Sequence, residues 1–289
     1  MAAVSVIIPH FNQKALLALC LDSLDRQTLA RDRYEIIVGD NMTPGGVDDL
    51  KARYPHVVFV EARERGAAPA RNAAMGAAAG EVIAFTDADC VAAPDWLETG
   101  LSGLKEADLC GGRIEVTAAN PARLSPVEAF ERVFAFRQRD YVERKSFAAT
   151  ANLFARRAAA DAIGPFTNGL SEDVDWCRRG AALGLRLAFN DNSIVSHPAR
   201  RDWSELVRKW DRIILERWNG FATETPLRRP LWLILAAAIA MSAVPHLARV
   251  AFSPKLTRLR DRAAAAGVLA RIRFWRAARM TALLRGEGA

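Results

Sequence analysis

Residues 4–89 alternate short apolar β-forming runs with stretches of helical spacing, and that alternation leaves few folds open. Residues 4–8, 35–39, 57–60 and 82–85 read as strands. Between them, residues 15–24 place apolar side chains at helical intervals, and Thr43-Pro44-Gly45-Gly46 turns the chain into a helix over 47–53. Residues 65–74 enter an Ala-rich helix with Pro69 near its first turn. Strands alternating with helices imply an α/β fold with a mainly parallel central sheet. Ligands of such sheets bind beyond the carboxyl ends of the strands. There the chain presents Pro9-His10-Phe11-Asn12, then Asp40, then Asp87-Ala88-Asp89.

The last of these carries the most chemistry. In extended backbone, residues two apart point the same way, so Asp87 and Asp89 can face one divalent cation, and Ala88 leaves room for a diphosphate. Alone, a D-x-D triplet is more often a solvated acidic turn. The loop after the first strand lacks G-x-G-x-x-G, which removes most support for a nicotinamide site.

Farther on, a helix is expected over 94–105, a glycine-interrupted strand over 109–116, a helix over 126–142, and a strand over 146–154. Glu172, Asp173 and Asp175 follow Ser171 at the start of another helix, where the dipole favours negative charge and Ser171 can cap. Short strands over 187–189 and 193–195 lead to Ser196-His197-Pro198.

Val6-Ile7-Ile8-Pro9-His10-Phe11-Asn12, Asp40, the Arg65-Gly66…Ala70-Arg71-Asn72 loop and Asp87-Ala88-Asp89 resemble, in order and spacing, the nucleotide-sugar domain of family 2 glycosyltransferases with the GT-A fold. The resemblance implies that Pro9, His10, Asn12 and Asp40 hold the nucleobase and that Arg71 approaches the nucleotide. Asp87 then lies near the ribose with Ala88 beside it, and Asp89 ligates Mg2+ or Mn2+ on the diphosphate, with His197 and Asp87 as further metal candidates. The Glu172-Asp173 segment resembles the family's E-D motif, so Asp173 is the expected catalytic base of an inverting transfer. Glu172 orients the acceptor or exchanges roles with it. Asn152 and Trp176 are the acceptor-side candidates.

The implied activity is metal-dependent transfer of a sugar from a nucleotide-diphosphate donor to a hydroxyl acceptor, a glycan or lipid-linked molecule, in cell-surface glycan or polysaccharide synthesis. Processive polymer synthases of the family carry Q-x-x-R-W. This chain has Ile214-Leu215-Glu216-Arg217-Trp218, without the glutamine. A sugar nucleotidyltransferase and an inactive nucleotide-sugar-binding protein are the readings from other classes.

Two domains are expected, a catalytic one over 1–220 and a helical basic region over 221–289. Residues 255–289 hold nine basic and two acidic residues, so the tail carries the whole formal excess of +7 and no nucleic-acid partner is called for. Four scattered cysteines without a C-x-x-C pair suggest free thiols in a reducing compartment. The nineteen uncharged residues 230–248 are about 28 Å long as a helix, close to a hydrocarbon core of roughly 30 Å. A basic tail on the far side would oppose the positive-inside tendency. An interfacial or re-entrant anchor on the cytoplasmic face of the plasma membrane is therefore expected, with Val268, Leu269, Ile272, Trp275, Met280 and Leu283 lying on anionic lipid. The alternative is an ordinary buried helix followed by a solvated basic one.

Overall fold

The computed structural model describes residues 3–220 and 227–285. The chain forms two compact units, one of Met1–Glu115 with Phe136–His197, the other of Val116–Ala135 with Pro198–Ala289.

The first unit is built on strands β1 (Val4–His10), β2 (Tyr34–Asp40), β3 (Val58–Glu61), β4 (Val82–Phe85), β5 (Val91–Ala92), β6 (Leu109–Thr117), β7 (Leu153–Arg156) and β8 (Leu187–Pro198). Among the described residues they form one eight-stranded sheet in the order β3-β2-β1-β4-β7-β6-β8-β5. β3, β2, β1 and β4 run parallel, as the alternation predicts. β7 then pairs antiparallel with both β4 and β6, and β5 pairs antiparallel with β8.

β1 is buried on both faces, which is why it reads as a continuous apolar run. Val4, Val6 and Ile8 enter one core with Ile36, Val38 and the Leu17, Leu21 and Leu24 of α1 (Lys14–Leu24). Ile7 enters the opposite core with Ile37, Ile83 and Phe85. After α2 (Asp48–Arg53), the Ala-rich helix α3 (Ala67–Gly76) contributes Ala68 and Ala74 to that second core. Its closeness depends on small residues: a Cβ on Gly39 of β2 would fall 2.0 Å from the Ala70 carbonyl oxygen.

α4 (Trp96–Gly103) forms as expected. The single helix predicted over 126–142 is instead α5 (Pro126–Phe134), in the second unit, and α6 (Gln138–Lys145), in the first. The chain breaks between them, where Phe136 adopts φ +45°. Of the strand expected over 146–154, residues 146–149 are irregular, Thr150–Asn152 is a 3-10 turn and only Leu153 and Phe154 belong to β7, after which α7 (Arg157–Ile163) and α8 (Glu172–Ala182) follow. The two short strands expected near 187–195 are one continuous strand, β8. All four cysteines are free and buried.

The second unit is helical. α5 starts with a capping box in which the Glu128 N–H donates to Ser125 Oγ at 3.1 Å and the Ser125 N–H donates to Glu128 Oε2 at 2.7 Å. The later helices are α9 (Trp203–Gly220), α10 (Arg228–Met241), α11 (Ala243–Ala251) and α12 (Leu259–Leu284). Residues 221–226, in the region expected to open the C-terminal segment, lie outside the described residues.

Val268, Leu269 and Ile272 of α12 are buried among Val127, Phe130, Leu206 and Val250, while Met280 and Leu283 are buried among Ile214, Trp232, Ala236 and Ile239. Trp275 is partly buried against both clusters. These residues therefore do not lie on lipid: they form the interior of a helical bundle. Trp232 Nε1 donates to the Met280 carbonyl at 2.9 Å and fixes α10 on α12. The other side of α10 and α11 is apolar and open, with Leu231, Leu233, Ile234, Met241, Val244 and Leu247 exposed. Residues 228–251 are long and apolar enough to cross a membrane, but only 17% of their most apolar window is buried inside the protein.

Candidate active site

The parallel register makes the first part of the site. His10 and Asp40 are partners across β1 and β2. The Gln13 N–H donates to His10 Nε2 at 3.1 Å, so the ring proton is on Nδ1 and is donated to Asp40 Oδ1 at 2.8 Å. Thr43 adds its hydroxyl to the same carboxylate oxygen at 2.6 Å and its N–H to Asp40 Oδ2 at 3.1 Å. The Thr43 hydroxyl oxygen in turn accepts the Asn12 N–H at 2.9 Å, which holds Asn12 at φ +52°. His10 at the end of β1, Asp40 at the end of β2 and Asn12 in the turn after Pro9 and His10 are thus joined through Thr43 and Gln13 at the sheet edge.

The sequence marks Thr43 only as the start of a turn and gives Asn41 no role. Asn41 donates to the Ala62 and Glu64 carbonyls and accepts the Gly66 N–H, tying the end of β2 to the loop before α3. The available signal was an Asn and a Thr immediately after a strand, the residue types that hydrogen-bond nearby backbone.

β4 delivers Asp87, Ala88 and Asp89. Ala88 is buried, and Asp87 is held by Arg71. Arg71 is only 4% exposed. It donates from Nη2 to Asp87 Oδ1 at 2.9 Å and from Nη1 to Glu172 Oε1 at 2.8 Å. One guanidinium therefore joins the D-x-D strand end to the first turn of α8. Sequence reasoning placed Arg71 toward the nucleotide; the structure places it between two carboxylates.

Beside Glu172, burial pushes the Asp173 carboxyl up to about 6, with the Glu172 charge adding to the rise and Arg71 opposing it. Its Oδ1 accepts the Val174 N–H at 2.8 Å.

Asp89 and His197 meet although they lie far apart in sequence. Asp89 Oδ2 is 3.3 Å from His197 Nε2, and the His197 ring packs against Phe136 at 4.5 Å between centroids. Two ligands in adjacent positions of an octahedral cation, each at about 2.1 Å, lie roughly 3 Å apart. This oxygen and nitrogen pair fits that spacing. No group of three or more His, Cys, Asp or Glu is gathered around a metal position among the described residues. The pair suits a cation that takes its remaining ligands from phosphate and water.

The two acceptor-side candidates are interior residues. Asn152 is fully buried: its Oδ1 accepts from Trp96 Nε1 at 2.9 Å, and its Nδ2 donates to the Arg113 and Ser193 carbonyls at 2.9 Å. Trp176 is also fully buried, stacked on Phe166 with 5.0 Å between centroids and hydrogen-bonded to the Gly164 carbonyl. Neither has side-chain surface for an acceptor to touch. They brace the sheet and α8 from behind.

The carboxyl ends of β1, β2 and β4 thus gather His10, Asp40, Asp87 and Asp89, with Glu172 at the start of α8 tied to Asp87 through Arg71. Residues 5–164 match the family described as Glycosyl transferase family 2. The chain is 31% identical to glycosyltransferase AglE of Haloferax volcanii, over 73% of this chain and 71% of that protein. It is 40% identical over a shorter region to the poly(ribitol-phosphate) β-glucosyltransferase of Bacillus spizizenii, covering 30% of this chain and 14% of that one. Among solved structures, mannosyltransferase PcManGT of Pyrobaculum calidifontis, in complex with GDP-Man and Mn2+, matches with TM-score 0.62 at 20% identity, covering 99% of this chain and 86% of that one. TarS of S. aureus in complex with UDP matches with TM-score 0.53 at 19% identity, covering 99% and 92%. The chain belongs to glycosyl transferase family 2 and has the GT-A fold. It is a nucleotide-sugar glycosyltransferase.

Proposed function

We propose that this enzyme transfers one sugar at a time from a nucleotide-diphosphate donor to a hydroxyl of a glycan or lipid-linked acceptor, with inversion at the anomeric carbon. The observation that carries this reading is Arg71, which ties Asp87 at the donor edge to Glu172 beside the raised carboxyl of Asp173.

In the proposed reaction the acceptor oxygen forms its bond to the anomeric carbon as the bond to the diphosphate oxygen breaks. The electron pair leaves with the nucleoside diphosphate and the hydroxyl proton passes to Asp173. A carboxyl pushed up by burial to about 6 is mostly ionised at neutral pH, yet is a stronger base than a solvated aspartate. Glu172, held by Arg71, orients the acceptor hydroxyl. Asn12 and Asp40 receive the nucleobase with Pro9 beside them, Asp87 lies toward the ribose, and His10, with no exposed side-chain surface and both ring nitrogens engaged, holds the Asp40 carboxylate rather than touching the base.

Asp89 and His197 are the residues that would hold Mg2+ or Mn2+, which when bound supplies positive charge against the diphosphate. That PcManGT was solved with Mn2+ supports this choice. The complexes of related folds with GDP-Man and UDP support a nucleoside-diphosphate donor. The exposed apolar side of α10 and α11 supports contact with a membrane surface, which the proposal takes to be the cytoplasmic face of the plasma membrane, with action in cell-surface glycan or polysaccharide synthesis.

The test is Asp173→Asn assayed against a panel of UDP- and GDP-sugars with glycan acceptors. The variant is expected to bind donor as the wild type does and to lose transfer by about 10²-fold or more. Transfer within a few-fold of wild type refutes the assignment of Asp173.

A further inference from the structure

We propose that Arg273 and Arg276 of α12, with the indole N–H of Trp210 on α9, form a binding site for a phosphate-type oxyanion in the helical unit. Arg276 is 8% exposed and lies over the Trp210 ring, its Cζ 3.6 Å from the centroid. Arg273, three residues away, is on the same side of the helix. The Nε atoms of both arginines and Nε1 of Trp210 are buried and have no hydrogen-bond partner.

No carboxylate among the described residues lies within ion-pair distance of either arginine. Arg273 Nη2 comes 3.5 Å from His246 Nδ1, but that nitrogen is also 2.6 Å from the Ser242 carbonyl. It must donate its proton to that oxygen, so the contact with Arg273 brings two donors together.

The remaining charged groups make the deficit larger. Burial pushes Arg276 down to about 9, with Arg273 and Arg217 adding repulsion, and burial together with Arg249 also lowers Arg273. A buried guanidinium costs far more to desolvate than one aromatic face returns. Charge neutralisation and three idle donors point to the same ligand: a compact anion with several acceptor oxygens, which Arg recognises well.

A phosphate of this kind can be free or borne by a lipid. The surroundings favour lipid, because Val244 and Leu247, on the helix that carries His246 and Arg249, are exposed apolar residues.

The site lies wholly within the helical unit, so its test is independent of transfer activity. The full chain, with chelator present to silence any metal-dependent donor site, is titrated with inorganic phosphate against chloride at equal ionic strength and followed by thermal midpoint. Vesicles of phosphatidylcholine with and without phosphatidic acid are tested by co-sedimentation. The wild type is expected to respond to phosphate, to phosphatidic acid, or to both; a response to vesicles alone assigns the ligand as lipid-borne. Arg276→Met is expected to melt higher than wild type without phosphate and to lose at least about tenfold in apparent affinity. If that variant does not fold, Arg273→Gln and Trp210→Phe decide, each expected to weaken the response several-fold.

Absence of any wild-type response overturns the proposal. So does a variant response equal to the wild type's. Arg229→Gln, at an exposed position on α10, controls for diffuse attraction: if it weakens vesicle binding as much as Arg276→Met, there is no discrete site.

Discussion

Replacing Arg71 with Met removes the cation that pairs with both Asp87 and Glu172 while keeping most of the side chain's volume. Removing one partner from a buried ion pair costs about 3–5 kcal/mol, because the other charge is left desolvated. Here the lower end applies, about 3 kcal/mol, because the Asp87 side chain keeps 30% of its surface in solvent and Glu172 keeps 17%.

The loss must also depend on pH. Arg71 lowers the Asp173 carboxyl from where burial and Glu172 would place it, so without Arg71 that group rises above its present value of about 6. A carboxyl raised in the folded state favours folding when protonated. Its contribution is fully present below the unfolded value near 3.8 and is lost as pH climbs through the folded one. Each further unit of rise therefore adds about 1.4 kcal/mol to the deficit above the new pKa and nothing below the old one.

Urea unfolding of wild type and Arg71→Met at pH 5 and pH 8 measures both quantities, with hydrogen exchange in peptides from α3 and α8 reporting the catalytic unit separately. The deficit is expected to be about 3 kcal/mol at pH 5 and larger at pH 8. A deficit below about 1 kcal/mol, or one equal at both pH values, refutes the view that this bridge is desolvated and coupled to Asp173.

Other perturbations probe neighbouring parts of the account. The acid limb of kcat/KM in the wild type should fall near pH 6, where Asp173 ionises, and should move upward in Arg71→Met; a limb near pH 4 in both would exclude Asp173 as the base. Gly39→Ala puts a methyl 2.0 Å from the Ala70 carbonyl oxygen, which must push α3 off β2. It should cost about 1–3 kcal/mol or more by thermal or urea unfolding, and should weaken donor binding through displacement of Arg71.

Much of the parallel sheet and of what lies at its carboxyl edge was legible in the sequence because the signals are local. Apolar runs mark β1, β2 and β4, and the polar residues that follow them sit at the sheet edge by necessity. Signals that depend on tertiary partners were not. Asn152 and Trp176 look like contacts for a polar ligand, but residue type does not reveal burial, and both are fully enclosed. The break at Phe136 has neither glycine nor proline to announce it. β5 is two residues long, too short to show a period.

The apolar positions of α12 show the same limit from another direction. Val268, Leu269, Ile272, Met280 and Leu283 recur at helical spacing, and that spacing serves equally for lying on lipid or packing in a bundle. Only the partners, Trp232 and Ile214 among them, decide.

Asp89 and His197 are proposed to hold a divalent cation against the donor diphosphate. The most direct test is calorimetric titration of UDP- and GDP-sugars into wild type and Asp89→Ala, each with Mn2+ and then with chelator. The account predicts that one nucleotide sugar binds the wild type with Mn2+, that chelator weakens this binding by at least about tenfold, and that Asp89→Ala binds no more tightly with Mn2+ than without it. Equal donor affinity in wild type and variant, with Mn2+ present, would contradict it.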